Sequence, residues 1–443
     1  MTRVRVIGGG LAGCEAALQC ARGGVPVTLH EMRPRQSTPA HRTDRLGELV
    51  CSNSLKSTDV ANAHGLLKAE LERLSCALLE CAVESRIPAG AALGVDRERF
   101  AASVTTRVES EPLIEVVREE RTDVDPDEIT IVATGPLTSE ALTRRIETIL
   151  GARRLAFYDA ISPIVAADSL AEGRWWAASR YGKGGDDYVN CPLDEAMYDA
   201  FVDALVEADP YPLHAFEETM FFEGCLPIEE MARRGRDTLR FGPLKPVGLT
   251  DPTTGERPHA VLQLRRENAD GTMLNLVGCQ TRLRYGDQRR VFGLVPALAR
   301  AEFLRYGQVH RNTFLRHPTA LDAFGRPREG WPRLMFAGQL TGVEGYVESI
   351  MSGLVAGWNA VRLGRGEEPT LPPRETMVGG LYHYLRTADP DGFQPMNANF
   401  GLLPAPVVGS RDKRLRRGAQ AERALDAIEA WAAENDPAVA EVG

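Results

Sequence analysis

A glycine-rich turn near the start of the chain constrains the fold more than any other feature of the sequence. Residues 4–7 form a short apolar run that predicts a strand, and Gly8-x-Gly10-x-x-Gly13 follows it directly. Residues 15–21, which come next, have the composition of a helix. A strand, a glycine turn and a helix in this order form the first unit of a Rossmann fold.

Each glycine of this turn has its own physical task. Gly8 permits the tight turn, Gly10 lets the backbone approach a pyrophosphate, and Gly13 lets the helix pack on the strand. The N-terminus of the helix then meets the phosphates, where free N–H groups and the helix dipole favour an anion. The predicted phosphate-binding residues are Gly8, Gly9, Gly10, Leu11, Ala12 and Gly13.

The second strand supports a dinucleotide as the ligand. Residues 25–30 read as a strand that ends at Glu31, 18 residues after Gly13. At this place a carboxylate accepts hydrogen bonds from the hydroxyls of a ribose. We therefore predict a dinucleotide-binding site that includes Glu31 and its neighbours Met32 and Arg33.

A second strand, glycine turn and helix near the other end of the chain favours FAD as the dinucleotide. Residues 334–337 predict a buried strand, and residues 346–363 predict a helix. This arrangement is typical of flavoproteins of the glutathione-reductase type, in which the late turn reaches the ribityl chain and the flavin ring. Without a second GxGxxG, a pyridine nucleotide is expected to bind only transiently. The further predicted FAD-binding residues are Gly135, Gly338, Gln339, Gly345 and Tyr346.

The order of these segments predicts the domain organisation. A chain of 443 residues is long enough for two or three domains. The predicted fold class is α/β, with a Rossmann-type, glutathione-reductase-like FAD-binding domain interrupted by a mixed α+β insertion domain. We place the FAD-binding domain, with a C-terminal helical tail, at residues 1–155 and 316–443, and the insertion at 156–315. A single long helix is expected at residues 65–84.

Composition excludes several classes of protein. No apolar run reaches the length of a membrane span, and the N-terminus lacks the pattern of a signal peptide, so we expect a cytoplasmic protein without a membrane partner. The eight cysteines show neither C-x-x-C nor zinc spacing, so no metal is expected. No obligate protein partner is evident from the sequence.

Positive charge is concentrated in one stretch of a chain whose net charge is −9. Between residues 281 and 317, eight arginines face two acids, which gives this stretch a charge of about +6. Charge alone does not separate a phosphate-binding face from a solvated, salt-bridged surface. Arg282 and Arg284 are our candidates for contacts with a polyanionic substrate.

Two cysteines have surroundings that suit a reactive thiol. Cys225 comes just before Pro227, which suits the first turn of a helix, and a thiolate is stabilised near a helix N-terminus. Cys51 is followed by three residues that cap helices well, Ser52, Asn53 and Ser54, so we expect a helix to start there. Cys51 and Cys225 are therefore the candidate catalytic residues.

Longer stretches around these residues resemble a known family, the folate- and FAD-dependent tRNA uracil-5 methyltransferases. This family is related to the flavoprotein called glucose-inhibited division protein A. The resemblance covers about nine tenths of the chain, and its most specific part spans residues 222–249. The other matching stretches are residues 51–56, 188–192, 310–314 and 337–346.

The resemblance implies a reaction and its substrates. In such a reaction the uridine at position 54 of the tRNA T-loop becomes ribothymidine. The carbon comes from 5,10-methylenetetrahydrofolate, reduced FAD carries it, and NADPH or NADH is the reductant. The partners implied are tRNA and folate.

The resemblance also assigns roles to residues. Cys225 is the nucleophile that adds to C6 of uracil, and Cys51 is either the base that removes the C5 proton or a partner of the flavin; the two roles could be exchanged. His310, Arg311 and Asn312 are candidates for the folate pocket. Three other activities remain open: a flavin oxidoreductase acting on a small molecule, a different flavin-dependent modification of tRNA uridine, and a non-catalytic flavin-bearing RNA-binding or assembly protein.

Overall fold

A computed structural model describes residues 2–38, 40–151, 155–211, 226–405 and 412–438, and gives side chains for all of these except 155–159, 310–313 and 413. The strands are β1 (Val4–Ile7), β2 (Val27–His30), β3 (Ser54–Ser57), β4 (Arg86–Ile87), β5 (Ala92–Val95), β6 (Ile114–Val117), β7 (Ile129–Val132), β8 (Leu155–Ala160), β9 (Ile164–Ala166), β10 (Trp176–Ala177), β11 (Tyr188–Leu193), β12 (Ala260–Arg266), β13 (Met273–Leu276), β14 (Phe303–Arg305), β15 (Val309–Phe314) and β16 (Leu334–Phe336). The helices are α1 (Leu11–Arg22), α2 (Ala63–Arg73), α3 (Ala77–Glu84), α4 (Arg97–Glu109), α5 (Glu140–Leu150), α6 (Glu195–Glu207), α7 (Ile228–Arg233), α8 (Thr238–Phe241), α9 (Tyr285–Phe292), α10 (His317–Ala320), α11 (Tyr346–Gly364), α12 (Met377–Thr387) and α13 (Lys413–Asn435). Within the described ranges, every helix is too short or too polar to cross a lipid bilayer.

A five-stranded parallel sheet carries the Rossmann unit. Its order is β16-β7-β1-β2-β6, and each neighbouring pair is parallel. β1 therefore lies at the centre, with the glycine turn at its carboxyl end, and β16 adds the late strand to one edge. Ile131 and Val132 are successive residues of β7 that point to opposite faces, and both are fully buried, so both faces of the sheet are covered. The predicted Rossmann-type fold is confirmed.

A second, six-stranded sheet has its own apolar core. Its order is β10-β11-β12-β13-β9-β14, and all of its pairs are antiparallel. Helices α6 and α9 pack on this core through Phe201 and Phe292, whose ring centroids lie 6.0 Å apart. β8 and β15 form a separate antiparallel pair, which leads from the parallel sheet into the six-stranded sheet and back.

Helices α1 and α11 cross at a distance that only small residues allow. A Cβ added to Gly353 would overlap the carbonyl oxygen of Ala12, and one added to Gly357 would lie 2.8 Å from the carbonyl oxygen of Ala16. This close approach brings the N-termini of both helices to the same end of the parallel sheet. The two predicted glycine turns, one before each helix, therefore face a common space.

Two local predictions are wrong. Residues 65–84 form two helices, α2 and α3, separated at Ser75, which has a φ of 54°. The break is held from α1: the side chain of Gln19 donates to the Ser75 carbonyl, and the buried Glu15 carboxylate accepts from the N–H groups that begin α3. The segment after Cys51 is strand β3 rather than a helix, because it pairs with β5.

The crossing of α1 and α11 predicts that Gly353→Ala is destabilising. The added methyl group meets backbone, which cannot rotate away, so we expect the free energy of unfolding to fall by about 1–3 kcal/mol. Gly364→Ala, in the last turn of the same helix, is the matched control, because its Cβ meets no atom closer than 3.8 Å. Chemical denaturation of both variants measures the difference. Equal stabilities for the two variants would contradict the proposed role of the crossing.

Candidate active site

A cleft of about 1030 Å³, open to solvent at its mouth, lies at the carboxyl ends of the parallel strands. This is where nucleotide ligands bind in open α/β sheets. Twelve of the predicted cofactor-binding residues line it: Gly8, Gly9, Gly10, Leu11, Ala12, Glu31, Met32, Arg33, Gly135, Gly338, Gln339 and Tyr346. Gly13 and Gly345 do not line the cleft, although they belong to the two glycine turns.

The glycines of the first turn differ in what surrounds them. Gly8 has a φ of +108°, and a Cβ there would lie 2.6 Å from the carbonyl oxygen of Ala133. A Cβ on Gly13 would overlap the carbonyl oxygen of Gly8. Gly10 is the exception, since a Cβ there would meet no protein atom within 4 Å. The space in front of Gly10 is therefore open to a ligand, as a pyrophosphate cradle requires.

Glu31 and Arg33 form a buried pair at the end of β2. The Glu31 carboxylate accepts from Gly9 N at 3.0 Å, and from the backbone and guanidinium of Arg33. Burial raises the pKa of Glu31, but the hydrogen bonds and positive charge of Arg33 outweigh it and hold that pKa below its usual range. Glu31 is thus ionised and fixes the glycine turn; its contact with a ribose stays a prediction.

The second turn is held by side chains of its own segment. Gly338 N donates to Ser352 Oγ at 2.6 Å, and the amide of Gln339 donates to Glu344 at 2.6 Å. Gly338 and Gly345 have φ values of 77° and 118°, which favour glycine. Together these contacts place Gln339 and Tyr346 at the wall of the cleft.

The sequence analysis missed part of the lining. Residues 119–121 lie just past β6, and Thr134 and Thr138 lie just past β7. The signal was available, since ligands bind beyond the carboxyl ends of several neighbouring strands and not only the first two. β6 was not recognised as a strand, so the polar residues after it were not connected with the site.

Cys51 lies in a loop whose backbone is tied to the cleft. Cys51 N donates to the hydroxyl oxygen of Tyr346 at 2.7 Å. Burial raises the pKa of the Tyr346 hydroxyl, so it stays protonated while it accepts this bond. Among the seven described cysteines, Cys51 is half-buried and the other six are buried. Burial raises the pKa of those thiols, in Cys20 to about 12, so they stay protonated and inert.

Two arginines hold the carbonyl groups of this loop. Arg97 donates to the carbonyl oxygens of Leu49 and Cys51, each at 2.6 Å, and forms an ion pair with Glu267 at 2.7 Å. Arg305, from β14, donates to the carbonyl oxygen of Val50 at 2.7 Å. Burial, together with the positive charges of Arg97 and Arg42, lowers the pKa of Arg305 to about 10, so it remains a cation at neutral pH.

Asn53 extends this network from β5 to β12 of the six-stranded sheet. Its amide donates to the carbonyl oxygens of Val95 and Arg266, and its side-chain oxygen accepts two hydrogen bonds from Arg265. Asn53 is fully buried, so each of these bonds replaces one to water. The loop with Cys51 is therefore fixed by residues of helices α4 and α11 and by β12 and β14 of the six-stranded sheet.

The folate candidates lie on a strand beside the cleft. His310, Arg311 and Asn312 belong to β15, which pairs with β8, and their side chains lie outside the described residues. β15 packs against the turns that begin at Gly135 and Gly338, and both of these turns line the cleft. The structure therefore places their backbone next to the candidate cofactor site.

Cys225 lies outside the described residues, but the chain on either side of its segment is well anchored. Tyr211 N donates to the carbonyl oxygen of Arg282, and Ile228 N donates to that of Gln280, each at 2.7 Å. The buried carboxylate of Glu229 accepts from Thr281 Oγ1 and from Arg282 N, each at 2.8 Å. The described residues that flank 212–225 are therefore bonded to residues 280–282, and Pro227 is the residue before α7 rather than its first residue.

The two arginine candidates have different surroundings. Arg282 forms an ion pair with Glu230, and its guanidinium is mostly buried. Arg284 is exposed, and among the described residues it makes no ion pair. Arg282 thus has a structural partner, whereas Arg284 is available to a ligand.

The fold and this cleft define a protein of the FAD-binding, Rossmann-type class. The structure matches that of Aquifex aeolicus GidA with a TM-score of 0.70 at 17% identity, covering 98% of this chain and 73% of that one. The family model described as glucose inhibited division protein A matches residues 3–368, and the chain belongs to this family.

Curated relatives match nearly the whole chain. A protein from Geobacter sulfurreducens is 56% identical over 97% of this chain and 99% of its own length. A protein from Symbiobacterium thermophilum is 54% identical over 97% of each chain. Both are named methylenetetrahydrofolate--tRNA-(uracil-5-)-methyltransferase TrmFO.

The open space in front of Gly10 predicts a separation between folding and cofactor binding. Gly10→Ala leaves the protein's own packing unchanged but puts a methyl group where a pyrophosphate approaches. We expect FAD affinity to fall roughly 5- to 150-fold, as an overpacked contact costs about 1–3 kcal/mol, while the stability of the FAD-free protein is retained. Titration of FAD into the apoprotein measures the affinity, and thermal melting measures the stability.

Gly13→Ala is the comparison for this experiment, because its methyl group overlaps protein backbone and destabilises the FAD-free protein itself. If Gly10→Ala binds FAD with wild-type affinity, the pyrophosphate does not lie at this turn.

Proposed function

We propose that the chain is a methylenetetrahydrofolate–tRNA-(uracil-5-)-methyltransferase that converts the uridine at position 54 of the T-loop to ribothymidine. The structural observation that carries the proposal is the bond between Cys51 N and Tyr346, which ties a half-buried cysteine to the wall of the FAD cleft. The curated relatives, more than 50% identical over nearly the whole chain, carry this activity in their names.

The residues of the cleft fit FAD. Gly10 leaves room for the pyrophosphate, Glu31 is ionised at the end of β2, and the turn at Gly338 lies across the cleft. When bound, FAD supplies the redox chemistry and carries the one-carbon unit taken from 5,10-methylenetetrahydrofolate, with NADPH or NADH as the source of electrons. The polar groups around the cleft orient the cofactor and its co-substrate.

The uracil ring needs activation by the chain's own residues. C5 of uracil is a poor nucleophile until a thiolate adds at C6, which gives C5 the character of an enolate. We assign this addition to Cys225. The activated C5 attacks the one-carbon unit, and Cys51 removes the C5 proton or assists at the flavin as the bond between that carbon and its carrier nitrogen breaks. A hydride equivalent that derives from NADPH or NADH then reduces the methylene group on C5 to methyl, while the C6 thiolate leaves and the ring is restored. The exchange of these two roles remains open.

The loop geometry suits a group that transfers a proton. Arg97, Arg305 and Tyr346 hold the backbone on either side of the Cys51 side chain, and among the described residues the thiol itself makes no hydrogen bond. Folate binding is assigned to His310, Arg311 and Asn312, whose strand lies beside the cleft. A tRNA substrate places the reaction in the cytoplasm.

The direct test is anaerobic incubation with 5,10-methylenetetrahydrofolate, NADPH and an unmodified tRNA transcript, followed by nuclease digestion and mass spectrometry. We expect 5-methyluridine at position 54 that depends on the folate, and its loss in Cys225→Ser and in Cys51→Ser. Cys279→Ala is the matched control, because that thiol is buried and inert, and it should retain activity. An FAD-loaded wild type that forms no 5-methyluridine would exclude the proposed function and favour a small-molecule oxidoreductase.

A fluorinated substrate separates the roles of the two cysteines. A transcript with 5-fluorouridine has fluorine in place of the C5 proton, so the base cannot complete its step and the C6 adduct accumulates. We expect Cys51→Ser to retain a covalent protein–RNA species on a denaturing gel and Cys225→Ser to lose it. The reverse pattern would exchange the assigned roles while leaving the overall reaction unchanged.

A further inference from the structure

An exposed ladder of aromatic rings lies next to the elements that carry the candidate substrate residues. The ring of Tyr285, at the start of α9, stacks on Tyr306 with centroids 4.5 Å apart and planes inclined by 19°. Tyr306 in turn stacks on Phe303 at 5.3 Å, with planes inclined by 5°. Tyr285 is 52% exposed, so this ladder ends at the surface in an aromatic side chain that is open to solvent.

Contacts at both ends hold the rings of the ladder in place. Gln308 donates to the hydroxyl of Tyr285 at 2.7 Å and so restrains the ring. Phe303 contacts the buried ring of Phe292 at 6.5 Å, which connects the ladder to the core of the antiparallel sheet. A restrained aromatic ring loses little conformational entropy when it binds a flat ligand.

Two exposed arginines accompany the ladder. Arg289 lies 5.4 Å from the centroid of Tyr306, and Arg284 immediately precedes Tyr285. Both arginines are exposed, and neither makes an ion pair among the described residues, whereas Arg290 is paired with Asp287. Two exposed arginines, one over Tyr306 and one next to Tyr285 in the chain, together with an exposed aromatic ring are complementary to a nucleotide, which presents a phosphate and a flat base.

The position of the ladder connects it with the reaction. Tyr306 is three residues before β15, the strand with the folate candidates. α9 follows residues 280–282, to which the described residues on either side of the Cys225 segment are bonded. Tyr285 and Tyr306 are therefore close in the chain to residues 280–282 and to β15.

We propose that Tyr285 is a stacking platform for an unpaired base of the substrate RNA, and that Arg284 and Arg289 bind the phosphates that flank this base. The proposal rests on the proposed function, because it takes RNA as the substrate. An unpaired base is required, since a base within a helix presents no free face to the ring. The surface formed by Tyr285, Arg284 and Arg289 thus selects for a loop of the RNA rather than a stem.

The test measures the affinity of tRNA transcript for Tyr285→Ala and Arg284→Ala over a range of salt concentrations. Loss of one stacked base should weaken binding by Tyr285→Ala roughly 5- to 150-fold, without a change in the salt dependence. Arg284→Ala should instead lower the slope of log affinity against log salt by about 0.7–0.9, as expected for one lost phosphate contact. Tyr285→Phe keeps the ring and should bind within about twofold of wild type.

Two control variants match these changes. Leu294→Ala removes an apolar side chain that is 41% exposed just beyond α9. Arg144→Ala removes an arginine that is 72% exposed on α5, which changes the net charge equally. Both should bind RNA as the wild type does. Wild-type affinity in Tyr285→Ala would overturn the stacking platform, and an unchanged salt slope in Arg284→Ala would overturn the phosphate contact.

A second measurement does not depend on the folding of a variant. Ultraviolet cross-linking of wild-type protein to a transcript containing 4-thiouridine, followed by peptide mapping, should give cross-links within residues 284–290. Cross-links found only elsewhere would overturn the proposed surface. If the wild type forms 5-methyluridine but both measurements fail, only this surface is wrong; if it forms none, the proposed function itself fails.

Discussion

The crossing of α1 and α11 is the constraint on which the rest of the site depends. Gly353 lies so close to the Ala12 carbonyl that no side chain fits between the two helices. Their N-termini, preceded by the glycine turns at Gly8 and Gly338, consequently open into one cleft. Since the contact involves backbone atoms, the separation of the two turns is set by van der Waals radii and cannot adjust to a larger residue. A cofactor that spans both turns therefore meets a preorganised site.

The same helix extends this constraint to the candidate catalytic loop. Tyr346, the first residue of α11, accepts a hydrogen bond from Cys51 N, and Arg97 and Arg305 hold the neighbouring carbonyl groups. The positive charge of Arg97 is balanced by its ion pair with the buried Glu267. Removal of one partner of such a pair leaves an unpaired buried charge. This destabilises the folded protein by more than the intact pair stabilises it. The loop is thus fixed by contacts to its backbone, and the thiol is left available for chemistry.

The sequence predicted correctly those elements whose structure depends on residues that are close together in the chain. The strand, glycine turn and helix around Gly8 were predicted correctly because their signals are local, and twelve of the predicted cofactor residues line the cleft. The break at Ser75 was missed because the groups that hold it, Glu15 and Gln19, come from another helix. The residues after Cys51 read as helix caps, yet they form a strand because β5 pairs with them. The domain boundaries and the roles of the two cysteines stay predictions.

Counting charges along the chain could not separate arginines with different tasks. Arg282 and Arg284 are two residues apart and looked equivalent, but Glu230 from α7 neutralises Arg282, while Arg284 remains exposed. A count of charges along one stretch does not detect an ion-pair partner that comes from a distant segment. The net charge of −9 is likewise a poor guide to the binding of a polyanion, because a polyanion responds to the electrostatic potential at the surface that it contacts. In the proposed RNA-binding surface, the exposed Arg284 and Arg289 therefore count for more than the total charge of the stretch.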